Sequence, residues 1–348
     1  TGIWPVTSTG LCGFVSALAV SLAIMVPARQ IIPADWMTDY KTVKVMQVLG
    51  GYGLPAESMF VGGCVRNMLL ARPVKDIDIA TIHHPQAVMD KLSANGIRFV
   101  PTGLEHGTVT AIVEDATFEI TTLRKDVETD GRHAVIAFTE VWGEDAQRRD
   151  FTMNTLLATP DGMIYDPLGS GLADLDDRKV RFVGVPDDRV AEDYLRILRF
   201  FRFHALYGEG AADEEALSVC KDHADSLTKL SKERVTQELL KILMVPKPSA
   251  ILNMMFSHVV LAPFSKGYNE DVFARLCDMQ ERHDAGDVLT RLVVLNGLKK
   301  PHIYDRLSLS NAQMRDIENI VAASVLLKSI SKKKTREAVY RFGNRIAV

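Results

Sequence analysis

The sequence has few cysteines and no excess of positive charge. The four cysteines, Cys12, Cys64, Cys220 and Cys277, are far apart, with no CxxC pair and no histidine at the spacing of a zinc ligand. This pattern excludes a structural zinc site and indicates a reducing, cytoplasmic location. The formal net charge of −3 excludes a protein that coats nucleic acid with its whole surface, so any RNA contact must come from local basic patches.

A long apolar run is also missing. The most apolar run, Leu11 to Val26, is shorter than the roughly 20 residues that cross a membrane, and no Lys or Arg precedes it as in a secretory signal peptide. We therefore expect no membrane association. We set residues 1–36 apart as an N-terminal extension of uncertain status, with the globular part beginning near Met37. At 348 residues and 47% hydrophobic composition, the chain is expected to form two or three domains with substantial cores.

Two hydrophobic patterns divide the rest of the chain. From Met59 onward, short β-rich apolar runs alternate with turn residues, which predicts strands near residues 59–61, 77–79, 109–113, 118–120 and 180–183. From Arg189 onward the apolar residues follow a helical period. We therefore predict an α+β fold, with a mixed α/β head followed by an all-helical remainder.

A glycine pair, Gly62 and Gly63, separates an apolar run from a helical pattern. Such a turn lets backbone N–H groups and the positive end of a helix dipole approach a phosphate, and Arg66 adds a positive charge nearby. Taken alone, a Gly-Gly turn is as consistent with a tight corner as with phosphate binding.

Two aspartates, Asp76 and Asp78, stand two residues apart on a predicted strand, so their side chains point to the same face. Charges of one sign so close together repel unless a cation lies between them, and Mg²⁺ prefers hard oxygen ligands. A DxD pair alone is more often a solvated strand face, but beside a Gly-Gly turn it indicates metal-assisted phosphoryl chemistry. Glu119, on another predicted strand, is the candidate for a third metal ligand.

Asp193 and Arg196 are three residues apart on what the pattern predicts to be one helix over residues 192–199, so they share a face. The simpler interpretation is an exposed ion pair. The functional interpretation is that the carboxylate accepts from the exocyclic amino group of a base while the guanidinium donates to its ring nitrogen. That arrangement would select cytosine and adenine and repel uracil and guanine.

The stretch GGCVRNMLLARPVKDIDIAT, residues 62–81, resembles the active-site motif of the class II tRNA nucleotidyltransferases and bacterial poly(A) polymerases. These are members of the polymerase-β-type nucleotidyltransferase superfamily. The resemblance continues in the family's order with RRDFTMN at 148–154, EDYLRILRFFRF at 192–203 and SKERVTQEL at 231–239. The chain departs from the family at Asn67, where Asp is usual, and at Ala71, where Gly is usual.

The resemblance implies a catalytic nucleotidyltransferase head over 37–184, a base-selecting helical neck over 185–245, and an RNA-binding helical body and tail over 246–348, with the tail expected to be shortened. It implies two Mg²⁺ ions at Asp76 and Asp78. The nucleotide-binding residues that it implies are Gly62, Gly63, Arg66, Arg149, Asp150, Asn154, Asp193, Arg196 and Arg199. Candidates for RNA phosphate contacts, with ordinary solvated charge as the alternative, are Lys229, Lys232 and Arg234.

The implied activity is addition of C, C and A to the 3′ end of tRNA from CTP and ATP, with no nucleic-acid template and no protein partner. The charged stretch from Arg124 to His133 resembles the flexible loop that CCA-adding members need for the final A. It favours CCA addition over partial CC or A addition and over poly(A) synthesis. The alternative from a different class is a non-catalytic RNA-binding protein on the same scaffold.

Overall fold

A computed structural model of the chain describes residues 25–129, 134–265, 267–297 and 306–326. These residues divide into two compact units. The first comprises the described residues of Thr1–Val127, Ile136–Arg148 and Asn154–Gly169, and the second those of Glu128–Val135, Arg149–Met153 and Ser170–Val348. Most of the apolar run near the N-terminus, residues 11–24, lies outside the described residues.

Strands dominate the first unit. In chain order the strands are β1 (Arg29–Gln30), β2 (Ser58–Val61), β3 (Ile77–Thr81), β4 (Arg98–Gly103), β5 (Thr108–Val113), β6 (Ala116–Thr122), β7 (Arg124–Thr129), β8 (Ala134–Phe138), β9 (Leu157–Ala158) and β10 (Met163–Tyr165). Eight of them form one sheet in the order β1-β10-β9-β2-β3-β6-β5-β4, whereas β7 and β8 form a two-stranded sheet. Only the β3–β6 pair is parallel, so the large sheet is mixed. Because β1 lies in this sheet, the folded unit begins before Met37.

Side chains cover both faces of the central strand β2, in which every residue is buried. On one face Met59 and Val61 pack with Ala80 of β3, in a cluster that also holds Leu123 and Leu157. On the other face Phe60 meets the ring of Trp36 edge to face, with ring centroids 4.8 Å apart. The helices of this unit are α1 (Asp35–Thr38), α2 (Tyr40–Val48), α3 (Gly63–Leu69), α4 (Pro85–Ala94) and α5 (Trp142–Gln147).

The second unit is helical, which confirms the predicted α+β class with a mixed-sheet head. Its helices are α6 (Gly171–Asp176), α7 (Pro186–Glu192), α8 (Leu195–Tyr207), α9 (Glu214–Asp222), α10 (Lys232–Leu243), α11 (Pro248–Ser257), α12 (Glu270–Arg282), α13 (Val288–Leu295) and α14 (Asn311–Leu326). In the part of the chain that the structure describes, no helix combines the length and the hydropathy needed to cross a membrane.

Four of the five predicted strands are present, as β2, β3, β5 and β6. The fifth, near residues 180–183, is wrong: Phe182 makes a single antiparallel bridge with Phe151 and lies outside the named strands. Both rings belong to an aromatic core of the second unit, with centroids of Phe151 and Phe182 5.1 Å apart and those of Phe182 and Phe200 5.6 Å apart. The apolar alternation there serves side-chain packing and not sheet pairing.

Helix α3 ends in a turn that ordinarily requires glycine. The N–H of Ala71 donates to the carbonyl of Met68 at 3.0 Å, and the N–H of Arg72 donates to the carbonyl of Asn67 at 2.8 Å. This bonding pattern closes a helix through a residue in the left-handed region, and Ala71 has φ 51°. An L-residue with a Cβ is strained in that region, so Ala71 costs stability at this position.

We predict that Ala71→Gly stabilises the protein by about 1 kcal/mol, because glycine adopts positive φ without strain. The measurement is the midpoint of urea unfolding followed by circular dichroism. Ala87→Gly in α4 is the matched control and should destabilise by about 1 kcal/mol, since its position is helical. Equal destabilisation by both substitutions would contradict the inference that Ala71 is strained in this turn.

Candidate functional site

Three carboxylates lie on or beside two central strands, Asp76 and Asp78 at the start of β3 and Glu119 in the middle of β6. Asp78 on β3 and Glu119 on the parallel strand β6 are register partners, so their side chains lie side by side on one face of the sheet. Asp76 immediately precedes β3 and is exposed, Asp78 is partly buried and Glu119 is exposed. The predicted pair and the candidate third ligand are therefore brought to the same edge of the sheet.

The donor set at this edge suits a hard divalent cation. Mg²⁺ is commonly held by one or two carboxylates and keeps its other positions for water and substrate phosphates. Asp76 and Asp78 supply that number of carboxylates. Within the described ranges, no three His, Cys, Asp or Glu side chains are grouped closely enough to hold a metal ion by themselves, so Glu119 stays a prediction as the third ligand.

The glycine turn lies beside the aspartates. Strands β2 and β3 are antiparallel, with Phe60 opposite Ile79, so the end of β2 adjoins the start of β3. Gly62 follows β2 with φ 71° and ψ −122°, a conformation that favours glycine, and α3 begins at Gly63. The first-turn N–H groups of α3 and the aspartates thus share one edge of the sheet.

Cys64 connects the glycine turn to β3, the strand that carries Asp78. Its thiol donates to the carbonyl of Val61 at 3.2 Å and to the carbonyl of Asp78 at 3.6 Å. Burial raises the pKa of the Cys64 thiol to about 11, so the group is protonated near neutral pH and is a donor, not a nucleophile.

The structure brings Arg66 and Asn154 together. Arg66 is 7% exposed, and its guanidinium donates to the side-chain oxygen of Asn154 and, at 3.3 and 3.2 Å, to that of Asn67. Asn67 in turn donates to the carbonyl of Pro73 at 3.2 Å. The neutral amide at position 67 accepts these bonds and leaves the positive charge of Arg66 in place, whereas an aspartate would bind Arg66 more strongly and partly neutralise that charge.

In the second unit, Asp150 and Arg199 form an ion pair. Nε of Arg199 donates to Oδ2 of Asp150 at 2.8 Å, and Oδ1 of Asp150 accepts from the N–H of Phe151 at 2.9 Å. Burial alone would lower the pKa of Arg199, but the nearby carboxylates, Asp150 first and then Glu238 and Asp193, together outweigh burial and raise the pKa above its ordinary value. The Asp150 carboxylate is therefore oriented, and the neighbouring Arg149 is partly buried.

The predicted single helix over residues 192–199 is wrong. Helix α7 ends at Glu192, Asp193 is extended with φ −153° and ψ 101°, and α8 begins at Leu195. Oδ1 of Asp193 accepts from the N–H of Leu195 at 3.1 Å. Short acidic side chains compete in this way with the hydrogen bonds of a continuous helix, which explains the break.

The two proposed base-reading residues have separate partners of opposite charge. Nη2 of Arg234 lies 2.7 Å from Oδ2 of Asp193, and Nη1 of Arg196 lies 2.7 Å from Oε2 of Glu192. Arg196 also donates to the carbonyl of Arg189 at 3.0 Å. The ion pair expected from their spacing is replaced by two pairs with other residues.

The sequence did not point to Glu192 and Glu238 as partners of the charged residues in this region. Oε2 of Glu238 lies 2.7 Å from Nε of Arg202 on α8, and Oε1 lies 3.1 Å from Nζ of Lys241. Burial alone would raise the pKa of Glu238, but the charges of Arg202 and Lys241 outweigh it and lower the pKa below its ordinary value of 4.5. The i,i+4 spacing of Arg234 and Glu238 was the available signal, because it places both on one face of α10.

The three predicted RNA contacts lie near this region. Nζ of Lys229 is 5.4 Å from the centre of the Tyr194 ring, and Lys232 is exposed in the first turn of α10. Arg234 is bound to Asp193 as described. Their contacts with RNA stay predictions. Of the charged stretch that resembles the loop for A addition, residues 124–129 form β7, and residues 130–133 lie outside the described residues.

Comparison with known proteins places two matches on the chain. Residues 58–181 match the family described as "Poly A polymerase head domain", and residues 212–271 match the family described as "Probable RNA and SrmB- binding site of polymerase A". The chain is 34% identical over 279 residues to the CCA-adding enzyme of Lactobacillus delbrueckii subsp. bulgaricus, covering 78% of this chain and 69% of that protein.

Vertebrate relatives match a shorter stretch. The human "CCA tRNA nucleotidyltransferase 1, mitochondrial" is 41% identical over 211 residues, which cover 60% of this chain and 48% of that protein. The chain thus spans about half the length of the vertebrate relatives that it matches.

Solved structures share the fold. The Bacillus stearothermophilus CCA-adding enzyme in complex with CTP superimposes with a TM-score of 0.71 at 24% identity, over 88% of this chain and 77% of that one. The Thermotoga maritima CCA-adding enzyme complexed with tRNA superimposes with a TM-score of 0.66 at 21% identity, over 91% of this chain and 79% of that one. At these identities the likeness concerns the fold.

We predict that Glu238→Gln lowers the free energy of unfolding by about 2 kcal/mol near pH 7, because Arg202 loses its charged partner. The lowered pKa of Glu238 means that its contribution is present above pH 4.5 and is lost as the pH falls through the folded-state value. Urea unfolding of both proteins at about pH 7, 5 and 3.5 tests this. Glu281→Gln, at an exposed position of α12, is the control. A difference that persists undiminished at the lowest pH would contradict an ionic contribution.

Proposed function

Because the chain belongs to the family of CCA-adding enzymes, metal-dependent nucleotidyltransferases with a poly(A) polymerase type of head, we propose that it adds C, C and A to the 3′ end of tRNA from CTP and ATP. The observation that carries the proposal is the shared sheet edge, where Asp76 and Asp78 adjoin the glycine turn that begins α3. Carboxylates for a divalent cation beside N–H groups for phosphate are the requirements of phosphoryl transfer.

The proposed catalytic residues are Asp76 and Asp78, which would hold two Mg²⁺ ions, with Glu119 as an additional ligand. The chemistry supplied by the bound ions is activation of the attacking hydroxyl and neutralisation of charge on the leaving group. The 3′ oxygen of the RNA forms a bond to the α-phosphorus, and the bond from that phosphorus to the bridging oxygen of the β-phosphate breaks. Pyrophosphate leaves, and no covalent enzyme intermediate forms.

We propose that the triphosphate lies at the glycine turn. Backbone N–H groups at Gly62 and Gly63 would donate to phosphate oxygens, helped by the positive end of α3. Arg66, fixed by Asn67 and Asn154, would supply positive charge behind the turn. Because Arg66 is held in the free protein, little side-chain entropy is lost when the triphosphate binds.

The ribose site proposed for the second unit is built on Asp150. Its carboxylate would accept a hydrogen bond from the 2′-hydroxyl and so favour ribonucleotides, while Arg149 would contact the triphosphate. Nε of Arg199 donates to this carboxylate at 2.8 Å and restricts its direction. Arg199 thus acts on the ribose through Asp150.

Base selection is assigned to Asp193 and Arg196. Cytosine and adenine present an amino donor beside a ring-nitrogen acceptor, which suits a carboxylate and a guanidinium. Uracil and guanine present a carbonyl beside an N–H and would be repelled at both positions. Polar groups left unpaired in such a site can discriminate by about 10⁴ or more.

The proposed partners are the tRNA 3′ end and the two nucleotides, with Lys229 and Lys232 as candidate phosphate contacts. A reducing compartment agrees with the free and buried thiols of Cys64, Cys220 and Cys277. We propose the cytoplasm, although the human relative is named as mitochondrial.

Incorporation of labelled CTP and ATP tests the function. The substrates are tRNA transcripts that end before CCA, tRNA transcripts that end after CC, and an unrelated RNA, each with Mg²⁺. We expect two C and then one A, on tRNA only. Long A tracts on any RNA would indicate poly(A) synthesis, and two C without A, or A alone, would indicate partial addition. Binding of tRNA without incorporation would favour the non-catalytic scaffold.

We predict that Asp76→Asn lowers incorporation by at least roughly a thousandfold, because a carboxylate ligand of the metal is lost. Binding of tRNA should be unchanged in a gel-shift titration. Asp90→Asn, the same substitution at an exposed position of α4, is the matched control and should incorporate at the wild-type rate. Undiminished incorporation by Asp76→Asn would contradict the proposal that Asp76 and Asp78 form the catalytic pair.

A further inference from the structure

Both oxygens of the Asp193 carboxylate are held in place. Oδ1 accepts from the N–H of Leu195 at 3.1 Å, and Oδ2 accepts from Nη2 of Arg234 at 2.7 Å. The first bond is local, whereas the second comes from α10, a helix well separated along the chain. A carboxylate has about four lone-pair positions, so these two bonds leave acceptor capacity for an incoming donor.

Helix α10 is tied to α8 at a second position. Arg234 and Glu238 lie four residues apart on one face of α10, and Glu238 binds Arg202 of α8 at 2.7 Å. The Glu238 side chain is 5% exposed, so this pair is shielded from solvent. It fixes the position from which Arg234 reaches Asp193.

The pair of Arg234 and Asp193 is too exposed to serve stability. Its side chains are 47% and 29% exposed, and ion pairs at such exposure contribute little to stability. A charge-assisted hydrogen bond of 2.7 Å still restricts the direction of the carboxylate. The consequence of this contact is therefore orientation of Asp193.

We infer that Arg234 is a positioning residue for base selection that acts through Asp193, and not a phosphate contact to RNA. The inference rests on the proposed function, in which Asp193 accepts from the amino group of cytosine or adenine. Arg196 has its own partner in Glu192 at 2.7 Å. With separate partners, the carboxylate and the guanidinium can each meet the base, whereas a direct pair between them would compete with it.

Loss of Arg234 frees the Asp193 carboxylate to turn toward Arg196 or to accept from the ring N–H of uracil. Selection of the base then weakens in a defined direction, since CTP and ATP lose affinity relative to UTP. A phosphate contact predicts a different pattern: binding of tRNA weakens whichever nucleotide is present, and the salt dependence of log K falls by about 0.7–0.9 for one lost contact.

The test measures dissociation constants of CTP, ATP and UTP for the full chain with Mg²⁺ and without RNA. We expect Arg234→Ala to weaken binding of CTP and ATP by roughly ten- to a hundredfold and to reduce the CTP over UTP preference by about tenfold or more. Arg234→Lys should recover part of this preference, because lysine keeps the charge but not the fork of donors. Arg275→Ala removes the same type of side chain from an exposed position of α12 and should leave the preference at its wild-type value.

A double-mutant cycle separates positioning from general structural support. In an Asp193→Asn background, Arg234→Ala should have no further effect on the CTP over UTP preference, because the group that it positions is already changed. The same additional loss in both backgrounds would mean that Arg234 does not act through Asp193. Should Arg234→Ala fail to fold, Arg234→Lys and Arg234→Gln take its place, and their CTP over UTP preference is measured in the wild-type and Asp193→Asn backgrounds.

An unchanged CTP over UTP preference in Arg234→Ala, with weaker tRNA binding and a shallower salt dependence, would overturn the inference in favour of a phosphate contact. The readout is binding, so the proposed function can fail separately. Wild-type protein that prefers CTP over UTP but adds nothing to tRNA would refute CCA addition and leave the effect of Arg234 measurable. Wild-type protein with no preference among nucleotides would overturn the inference.

Discussion

A charged side chain that is partly withdrawn from water needs a partner before any substrate arrives, and this constraint organises the candidate site. Arg66 is held by the amides of Asn67 and Asn154, and the carboxylate of Asp150 is held by Arg199. Asp193 is held by Arg234. Without such partners, an unpaired charge would cost free energy on burial, and the side chains would be free to rotate. The side chains proposed to meet the nucleotide are therefore held in fixed directions within each unit, which would lower the entropy lost on binding.

Each of the two compact units carries a different part of the chemistry proposed for this protein. In the first unit, the pairing of β2 with β3 brings the glycine turn proposed to bind phosphate and two carboxylates to one edge of a mixed sheet. In the second unit, the break between α7 and α8 turns Asp193 out of the helical pattern and leaves Arg196 within the first turn of α8. The arrangement proposed for phosphoryl chemistry thus depends on strand register, whereas the one proposed for base selection depends on where a helix ends.

Much of the fold could be predicted, because periodicity records which faces are buried. The strands that carry Phe60, Ile79 and Ile120 and the helical second half follow from it. The strand predicted near Phe182 was wrong because alternating apolar residues can also fill an aromatic core. The uninterrupted helix over residues 192–199 was wrong because a hydrogen bond from Leu195 to the Asp193 side chain replaces helical bonding.

Which chemical groups are available, and in what order, can be read directly from the amino-acid sequence: the glycine turn, the DxD pair and the acidic and basic residues of EDYLR. These are local patterns, and local spacing is enough to place the glycine turn and the DxD pair at the ends of strands, but it does not show the helix break at Asp193. The partners of the charged groups could not be read from the sequence, because Asp150 meets Arg199 and Asp193 meets Arg234 across long separations in the chain. Such contacts are set by helix packing, in which burial of apolar side chains chooses the neighbours and the charges then pair with whatever lies within reach.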